Sequence, residues 1–314
     1  MNSKKQVTVM KRFFIYSFVA AATLLAACNN DESQTAGADV ISLRSTVANA
    51  ATRANAGDAL QNAQFQAGKD IFVEVYKTGE SAAYTSGNYT TGEDGSMTGS
   101  LYYPADQKNI DVCAFYPASV NSGTTSFSVN ASQTTADVAN YQASDLMYAD
   151  KLVDKAKGST HALNFHHALT KIVVNLQADG AGMQPEDVKN MVSAVSINGM
   201  RPTANFAIED GAVGAITASG TAADIDITGA NKFNHVGIIV PQAVAAGTTL
   251  FTVTYNGNPF TYAAPADKTF VSGGVYTYNF TLSTQGIKLQ SVSITDWDGT
   301  GDDKVINGGT LVLY

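Results

Sequence analysis

Three of the four histidines in this 314-residue chain fall close together, at His161, His166 and His167, and they are the first side chains that could do chemistry. Zinc needs three or four converging His, Cys or carboxylate ligands. Neighbouring side chains of an extended strand point to opposite faces, so His166 and His167 cannot serve one metal from one strand. His235 is remote in sequence. Cys113 lies in the apolar run Ile110–Tyr116 and reads as a small buried hydrophobe rather than a nucleophile. The histidines therefore read as packing residues at a structural junction. Asp296 and Asp298 flank Trp297, and Asp302-Asp303 follow. Paired carboxylates equip glycosidases, and 296–302 has some of the spacing of a calcium loop. The bidentate Glu and flanking helices of an EF-hand are missing, so solvated turn residues are the reading. There is no Gly-x-Ser-x-Gly elbow, and Gly211-Ala212-Val213-Gly214 lacks the lysine of a phosphate loop. Tyr84, Tyr89, Tyr102 and Tyr103 could stack on sugars, although tyrosine is also common in strands. The expectation is a protein that is not an enzyme, with no catalytic residues, no metal and no cofactor.

Cys28 carries a stronger signal. Lys11-Arg12 precedes an apolar run from Phe13 to Leu25, which ends in Leu24-Leu25-Ala26-Ala27-Cys28. The run is too short for a membrane-spanning helix and lies beside a small-residue cleavage site. It resembles a lipobox, in which Cys28 receives lipid such as palmitate. Residues 1–27 are then a signal peptide, and Met10 makes a better-shaped start than Met1. Lipid anchors a chain to a membrane without spanning it. The acidic pair Asp31-Glu32 resembles the surface-export signal of Bacteroidales-type lipoproteins, which points to the outer face of the cell outer membrane.

Charge and cysteine count bound the function further. The first 27 residues hold Lys4, Lys5, Lys11 and Arg12 and no acid; removing four of 19 bases leaves 15 against 27 acids. That balance excludes nucleic-acid binding through a basic surface. With Cys28 lipidated, Cys113 has no partner for an intrachain disulfide.

The elements that would position these residues are strands. Ile71, Val73 and Val75 alternate with Phe72, Glu74 and Tyr76. Similar runs recur at 110–116, 125–129, 171–177, 192–197, 205–208, 236–240, 249–255, 258–262, 275–282 and 287–294. Turn signals separate them, Tyr255-Asn256-Gly257-Asn258 being the clearest hairpin. Gln184–Met191 is the one helical stretch of note, with Pro185 near its start. Many short strands with regular turns predict an all-β protein of sandwich type. A less regular segment at 141–171 places a domain boundary near residue 165.

Several runs together resemble the fimbrillin family of Bacteroidales-type pilins and its minor-fimbrium-like relatives. They are Phe65–Val73, Asp145–Ala149, Asn164–Val174, Thr203–Gly211 and Tyr276–Leu282 leading to Ile294-Thr295-Asp296-Trp297. The resemblance covers most of the chain after Cys28. It implies two tandem transthyretin-like β-sandwich domains, at 54–165 and 166–300. It implies a propeptide at 28–53 whose strand, Val40-Ile41-Ser42-Leu43, fills a groove in the first domain. An arginine-specific protease then cuts, at Arg53-Ala54 by preference or at Arg44-Ser45, and the strand leaves. A strand from another fimbrillin subunit takes its place, a case of β-strand addition. The candidate donor is the tail at 301–314, through Val305, Ile306, Leu311, Val312, Leu313 and Tyr314. On this reading the chain is a subunit of a surface fimbria that contributes to adhesion to a host or bacterial surface ligand. The alternative is a monomeric surface lipoprotein that binds glycans.

Overall fold

The computed structural model describes residues 39–47 and 64–298, whose regular structure is mostly β. The first half contributes β1 (Leu43–Val47), β2 (Asp70–Lys77), β3 (Ala83–Thr91), β4 (Ser96–Thr98), β5 (Ile110–Tyr116), β6 (Ser126–Ser128), β7 (Met147–Ala149), β8 (Leu152–Lys155) and β9 (His161–His167). The middle contributes β10 (Thr170–Ala178), β11 (Val192–Met200), β12 (Thr203–Asn205), β13 (Ile208–Glu209), β14 (Ala212–Val213), β15 (Thr217–Ser219) and β16 (Ala223–Asp226). The last strands are β17 (Asn234–Ile239), β18 (Ala243–Val244), β19 (Thr249–Tyr255), β20 (Asn258–Ala263), β21 (Lys268–Thr269), β22 (Gly274–Ser283) and β23 (Gly286–Asp296). Two short helices interrupt them, α1 (Val138–Ala143) and α2 (Pro185–Met191).

The first sheet runs β2-β3-β4-β1-β9-β7-β5-β8, and β2 also pairs with β5. Seven of its strands therefore close into a barrel-like ring, and β8 pairs with the first residues of β5, along the edge whose far end β7 occupies. Closure removes the free edges that an open sheet exposes. The ring encloses one core cluster, with Ile41, Phe65, Ile71, Val73, Val75, Tyr89, Val112, Leu163 and Phe165 among its members.

The second cluster lies between two four-stranded sheets, β17-β10-β22-β23 and β16-β11-β19-β20. On β22 burial alternates without a break, so Tyr276, Tyr278, Phe280 and Leu282 face inward while Val275, Thr277, Asn279 and Thr281 do not. Phe251 on β19 meets Tyr278 and Phe280 edge-on, at centroid distances of 4.7 and 5.7 Å. Such edge contacts match the ring quadrupoles and add to simple burial.

The two clusters do not divide at one point in sequence. Val120, Val129, Tyr141 and Leu146 precede residue 165 yet pack in the second cluster. β6 pairs with β12. Gln133, fully buried, donates to the Ile238 carbonyl at 2.9 Å and accepts from the Ile238 amide at 2.7 Å. Its amide satisfies backbone groups that burial would otherwise leave unpaired.

Two turns set the local geometry. Asn256 and Gly257, at φ 47° and 76°, join Tyr255 to its partner Asn258. Positive φ at both central positions is the type I′ hairpin geometry that asparagine and glycine permit. Asp210 and Gly211, at 49° and 84°, make the corresponding turn between β13 and β14.

Candidate functional site: the strand between β4 and β9

β1 comes from the N-terminal segment, yet both of its neighbours come from later in the chain. It runs parallel to β9 through five residue pairs, Leu43↔His161 to Val47↔Phe165. On its other side it runs antiparallel to β4, through Leu43↔Met97 and Arg44↔Ser96. Residues 48–63, which separate it in sequence from β2, lie outside the described residues.

Its sequence suits this place. Ile41, Leu43, Ser45 and Val47 point into the barrel, and Ser42 and Arg44 point out. Burying each of Ile41, Leu43 and Val47 contributes about 1.5–3 kcal/mol. Hydrogen bonds fix the register. The Ile41 amide donates to the Leu101 carbonyl at 2.9 Å, and the Ser45 amide donates to the Gly95 carbonyl at 2.8 Å. The His161 amide donates to the Ser42 carbonyl at 2.9 Å. The buried Tyr89 hydroxyl donates to the Ile41 carbonyl at 2.8 Å. Gly95, at φ 79°, approaches so closely that a β-carbon there would lie 2.8 Å from the Ser45 carbonyl oxygen. At the outer end Lys157 pairs with Asp39 at 3.0 Å, and Val40 forms a bridge with Tyr102.

The inserted segment extends further than the sequence reading of Val40–Leu43. Val40 is 46% exposed, whereas Ser45 and Val47 are buried. Serine and threonine at 45 and 46 hide the alternation, because their hydroxyls satisfy backbone carbonyls of Gly95 and Leu163. The Arg44-Ser45 bond lies inside the paired strand. Cys28, Arg53, Ala54 and the tail residues Val305, Ile306, Leu311, Val312, Leu313 and Tyr314 lie outside the described residues.

The clustered histidines sit on β9, the strand that carries β1. His161 accepts or donates at 2.7 Å with the Tyr103 hydroxyl, and burial holds its pKa below the ordinary value. His166 meets Asp298 at 3.4 Å and Asp150 at 2.9 Å. The Asp298 bond first, then Asp150, raises its pKa to about 9 against the opposing effect of burial. His167 faces the other way, bonded through Nδ1 to the fully buried Asp145 at 2.8 Å. Asp298 accepts the His167 backbone N–H at 3.1 and 3.2 Å. The acidic pair around Trp297 is thus split. Asp298 ties the end of β23 to β9, and Asp296 accepts the Asp298 amide at 3.0 Å. Cys113 is buried, and burial pushes its thiol up to about 11. Of the tyrosines, Tyr89 is in the core, Tyr103 bonds His161, and Tyr84 is exposed beside Lys77.

The fold and this strand define a class: an all-β protein whose barrel is completed by an N-terminal strand inserted between two strands from later in the chain. A model of the fimbrillin-like family matches residues 52–297, and the chain belongs to that family. It is 31% identical over 159 residues to Fim1C of Bacteroides uniformis, named as a candidate fimbrium subunit. That match covers 49% of this chain and 51% of the relative, so the chain aligns with about half the length of that curated protein. A crystal structure of a candidate cell adhesion protein from Bacteroides uniformis superposes with a TM-score of 0.62 at 26% identity, covering 84% of this chain and 99% of the other. A second, from Bacteroides ovatus, has a TM-score of 0.60 at 18% identity and covers 83% and 98%, a likeness of fold.

Proposed function

We propose that the protein is a structural subunit of a cell-surface fimbria, made as an outer-membrane lipoprotein precursor and assembled by strand exchange. The observation that carries this reading is β1. It fills a slot between β4 and β9, and among the described residues no other strand lies between them. Cleavage after Arg53 would free the segment that contains it, and the slot would then present two unpaired strand edges and an apolar floor. An extended apolar strand from another fimbrillin subunit, such as 305–314, supplies backbone hydrogen bonds and alternating side chains to fill it. Arg53 is favoured over Arg44 because a protease needs an extended, accessible bond, and the Arg44-Ser45 bond is paired on both sides. Until the cut, lipid on Cys28 holds the precursor at the membrane. The two core clusters correspond in this reading to the tandem transthyretin-like domains that the family resemblance implies.

The test compares wild type, Arg53→Ala and a deletion of residues 305–314, each treated with an arginine-specific protease and run unboiled on a gel. Wild type gives a ladder of oligomers and both variants lose it. A truncated protein that still polymerises removes the tail as donor. An Arg53 variant that polymerises like wild type moves the cut elsewhere. A wild type that stays monomeric under all conditions favours the monomeric, glycan-binding lipoprotein.

A further inference from the structure

We propose that β9 couples the β1 slot to the end of β23, so that departure of β1 loosens the residues that lead into the tail. Two contacts share this one strand. Its first part, His161–Phe165, carries β1. Its last two residues, His166 and His167, hold Asp298 and Trp297 as a latch.

β9 depends on β1 along its first half. On its other side β7 pairs only with Phe165–His167, and the Asp150 amide donates to the Asn164 carbonyl at 2.9 Å. Among the described strands β1 alone pairs with His161, Ala162 and Leu163. Leu163 and Phe165 share a core cluster with Ile41, Leu43 and Val47. Phe165 pairs with Val47 and meets Phe65 edge-on at 4.8 Å. When β1 leaves, this part of β9 loses a hydrogen-bonded neighbour and its apolar cover together. Such a segment opens more readily than one paired on both sides. His166 and His167 follow Phe165 directly through planar peptides, so a shift of Phe165 reaches them.

The latch tolerates little movement. Asp298 accepts the His167 amide with both oxygens, at 3.1 and 3.2 Å, and stands 3.4 Å from the His166 ring. These bonds are already at the long end of the useful range, where a small displacement breaks them. The latch also holds two buried polar atoms that have no hydrogen bond among the described residues, Asp145 Oδ2 and Trp297 Nε1. Both belong to groups that touch the His167 imidazole. Asp145 bonds it through its other oxygen at 2.8 Å, and Trp297 stacks on it at 3.9 Å. Burying an unpaired acceptor and an unpaired donor opposes closure, and opening the latch lets water reach both. The latch is therefore poised, closed for as long as β9 keeps His167 in place.

The purpose of the coupling rests on the strand-exchange reading: a subunit whose slot is still filled keeps the start of its tail fastened, and one whose β1 has gone frees it. Coupling between two sites is reciprocal, so opening the latch must also weaken the hold on β1. Trp297 is the only tryptophan of the chain, and its fluorescence reads the latch without a label. The test uses the full chain with Cys28→Ala and displaces β1 with Leu43→Asp. Faster hydrogen exchange at the Ser45 and His161 amides, both bonded across the β1 joints, reports that β1 has left. Trp297 emission should then shift to the red and acrylamide should quench it severalfold more readily, while the amides of β11 and β19 keep their protection. The reverse arm opens the latch with Asp298→Ala, which should accelerate exchange at Ser45 and His161 severalfold and leave β11 and β19 unchanged. The proposal is overturned if Trp297 keeps its wild-type emission and quenching in a protein whose Ser45 and His161 amides have lost protection. Should Leu43→Asp unfold as a whole, or keep β1 in place, the reverse arm decides, and unchanged exchange there overturns the coupling. A protein that gives no oligomer ladder yet responds in both arms keeps the coupling and loses the strand-exchange reading alone.

Discussion

The Trp297 indole lies flat on the His167 imidazole, with ring centroids 3.9 Å apart and planes 5° from parallel. This stack, with Asp298 on the His167 amide and on His166, fastens the last described residues to β9. The Trp297 amide also donates to the Gly273 carbonyl at 2.8 Å, and Lys171 stands 5.5 Å over the indole. One end of β9 therefore carries this latch, and the residues before it carry β1.

Breaking the latch should loosen the end of β23. Trp297→Ala removes a buried aromatic and should cost about 3–5 kcal/mol. Asp298→Ala removes the carboxylate that accepts the His167 amide and should cost about 1–3 kcal/mol. Asp298→Ala should also lower the pKa of His166, because Asp298 is the largest support for its value of about 9. Denaturant titration gives the first two quantities and histidine NMR the third. An unchanged His166 titration would show that Asp298 does not act on it.

Two histidines should shape the pH dependence of stability in opposite directions. His235 is fully buried, and its Nδ1 accepts the Gly229 amide at 2.9 Å. Burial lowers its pKa from 6.5 to about 4. The unfolded chain then binds the proton more readily, so stability is present above pH 6.5 and falls as the pH drops towards 4, by about 3 kcal/mol in all. For His166 the folded value is raised, so its contribution is full below pH 6.5 and is lost as the pH climbs through 9. Melting temperature against pH should show both slopes. His235→Asn should flatten the acid slope and His166→Asn the alkaline one.

Much of the fold was legible because its strands obey one rule. The runs at 110–116 and 249–255 coincide with β5 and β19, where apolar side chains alternate or are buried on both faces. The turn at Asn256-Gly257 was legible because positive φ requires those residues. β9 was not legible. Its inward positions are His161, Leu163, Phe165 and His167, so two of four carry imidazole, and the alternation shows only when histidine is read as a buried residue. β3 was missed for a related reason, since Tyr89 and Thr91 are its only buried side chains and the rest is polar. The insertion of β1 beside β9 is a pairing across more than a hundred residues. No local pattern encodes it, and only the family resemblance pointed to it.

Cys113 should be inert in the folded protein. Its thiol is buried beneath Gly211, and its raised pKa keeps it protonated near neutrality. Alkylation by iodoacetamide, followed peptide by peptide so that Cys28 is counted separately, should be slow in buffer and fast in denaturant. Gly211→Ala should accelerate labelling, because its β-carbon must displace either the hairpin or the sulfur. Rapid labelling of the folded wild type would mean that the hairpin does not cover the thiol.

The last prediction concerns the hold of the barrel on β1. Leu43 is 3% exposed and pairs with both Met97 and His161, so it is the residue where both neighbouring strands meet the insert. Leu43→Asp would place a carboxylate against Met97 and its apolar neighbours, beside a His161 imidazole that burial holds towards its neutral form. Burying an unpaired charge costs more than the strand's own apolar burial recovers, so β1 should leave the slot without any cleavage. The rest of the ring keeps its own ladders, β2 with β3 and β5, and β7 with β9, so it should stay folded. Hydrogen exchange separates these outcomes. The amides of Ile41, Ser45 and His161, bonded across the β1 joints, should lose protection, while those of β22 should keep theirs. The freed slot should then bind a synthetic peptide of residues 305–314, whereas wild type should not. If the variant unfolds as a whole, β1 is an integral strand of the barrel and strand exchange would require a different slot. If it keeps full protection at Ser45 and His161, the slot holds its strand by the backbone ladder alone, and apolar side chains would not determine which donor enters.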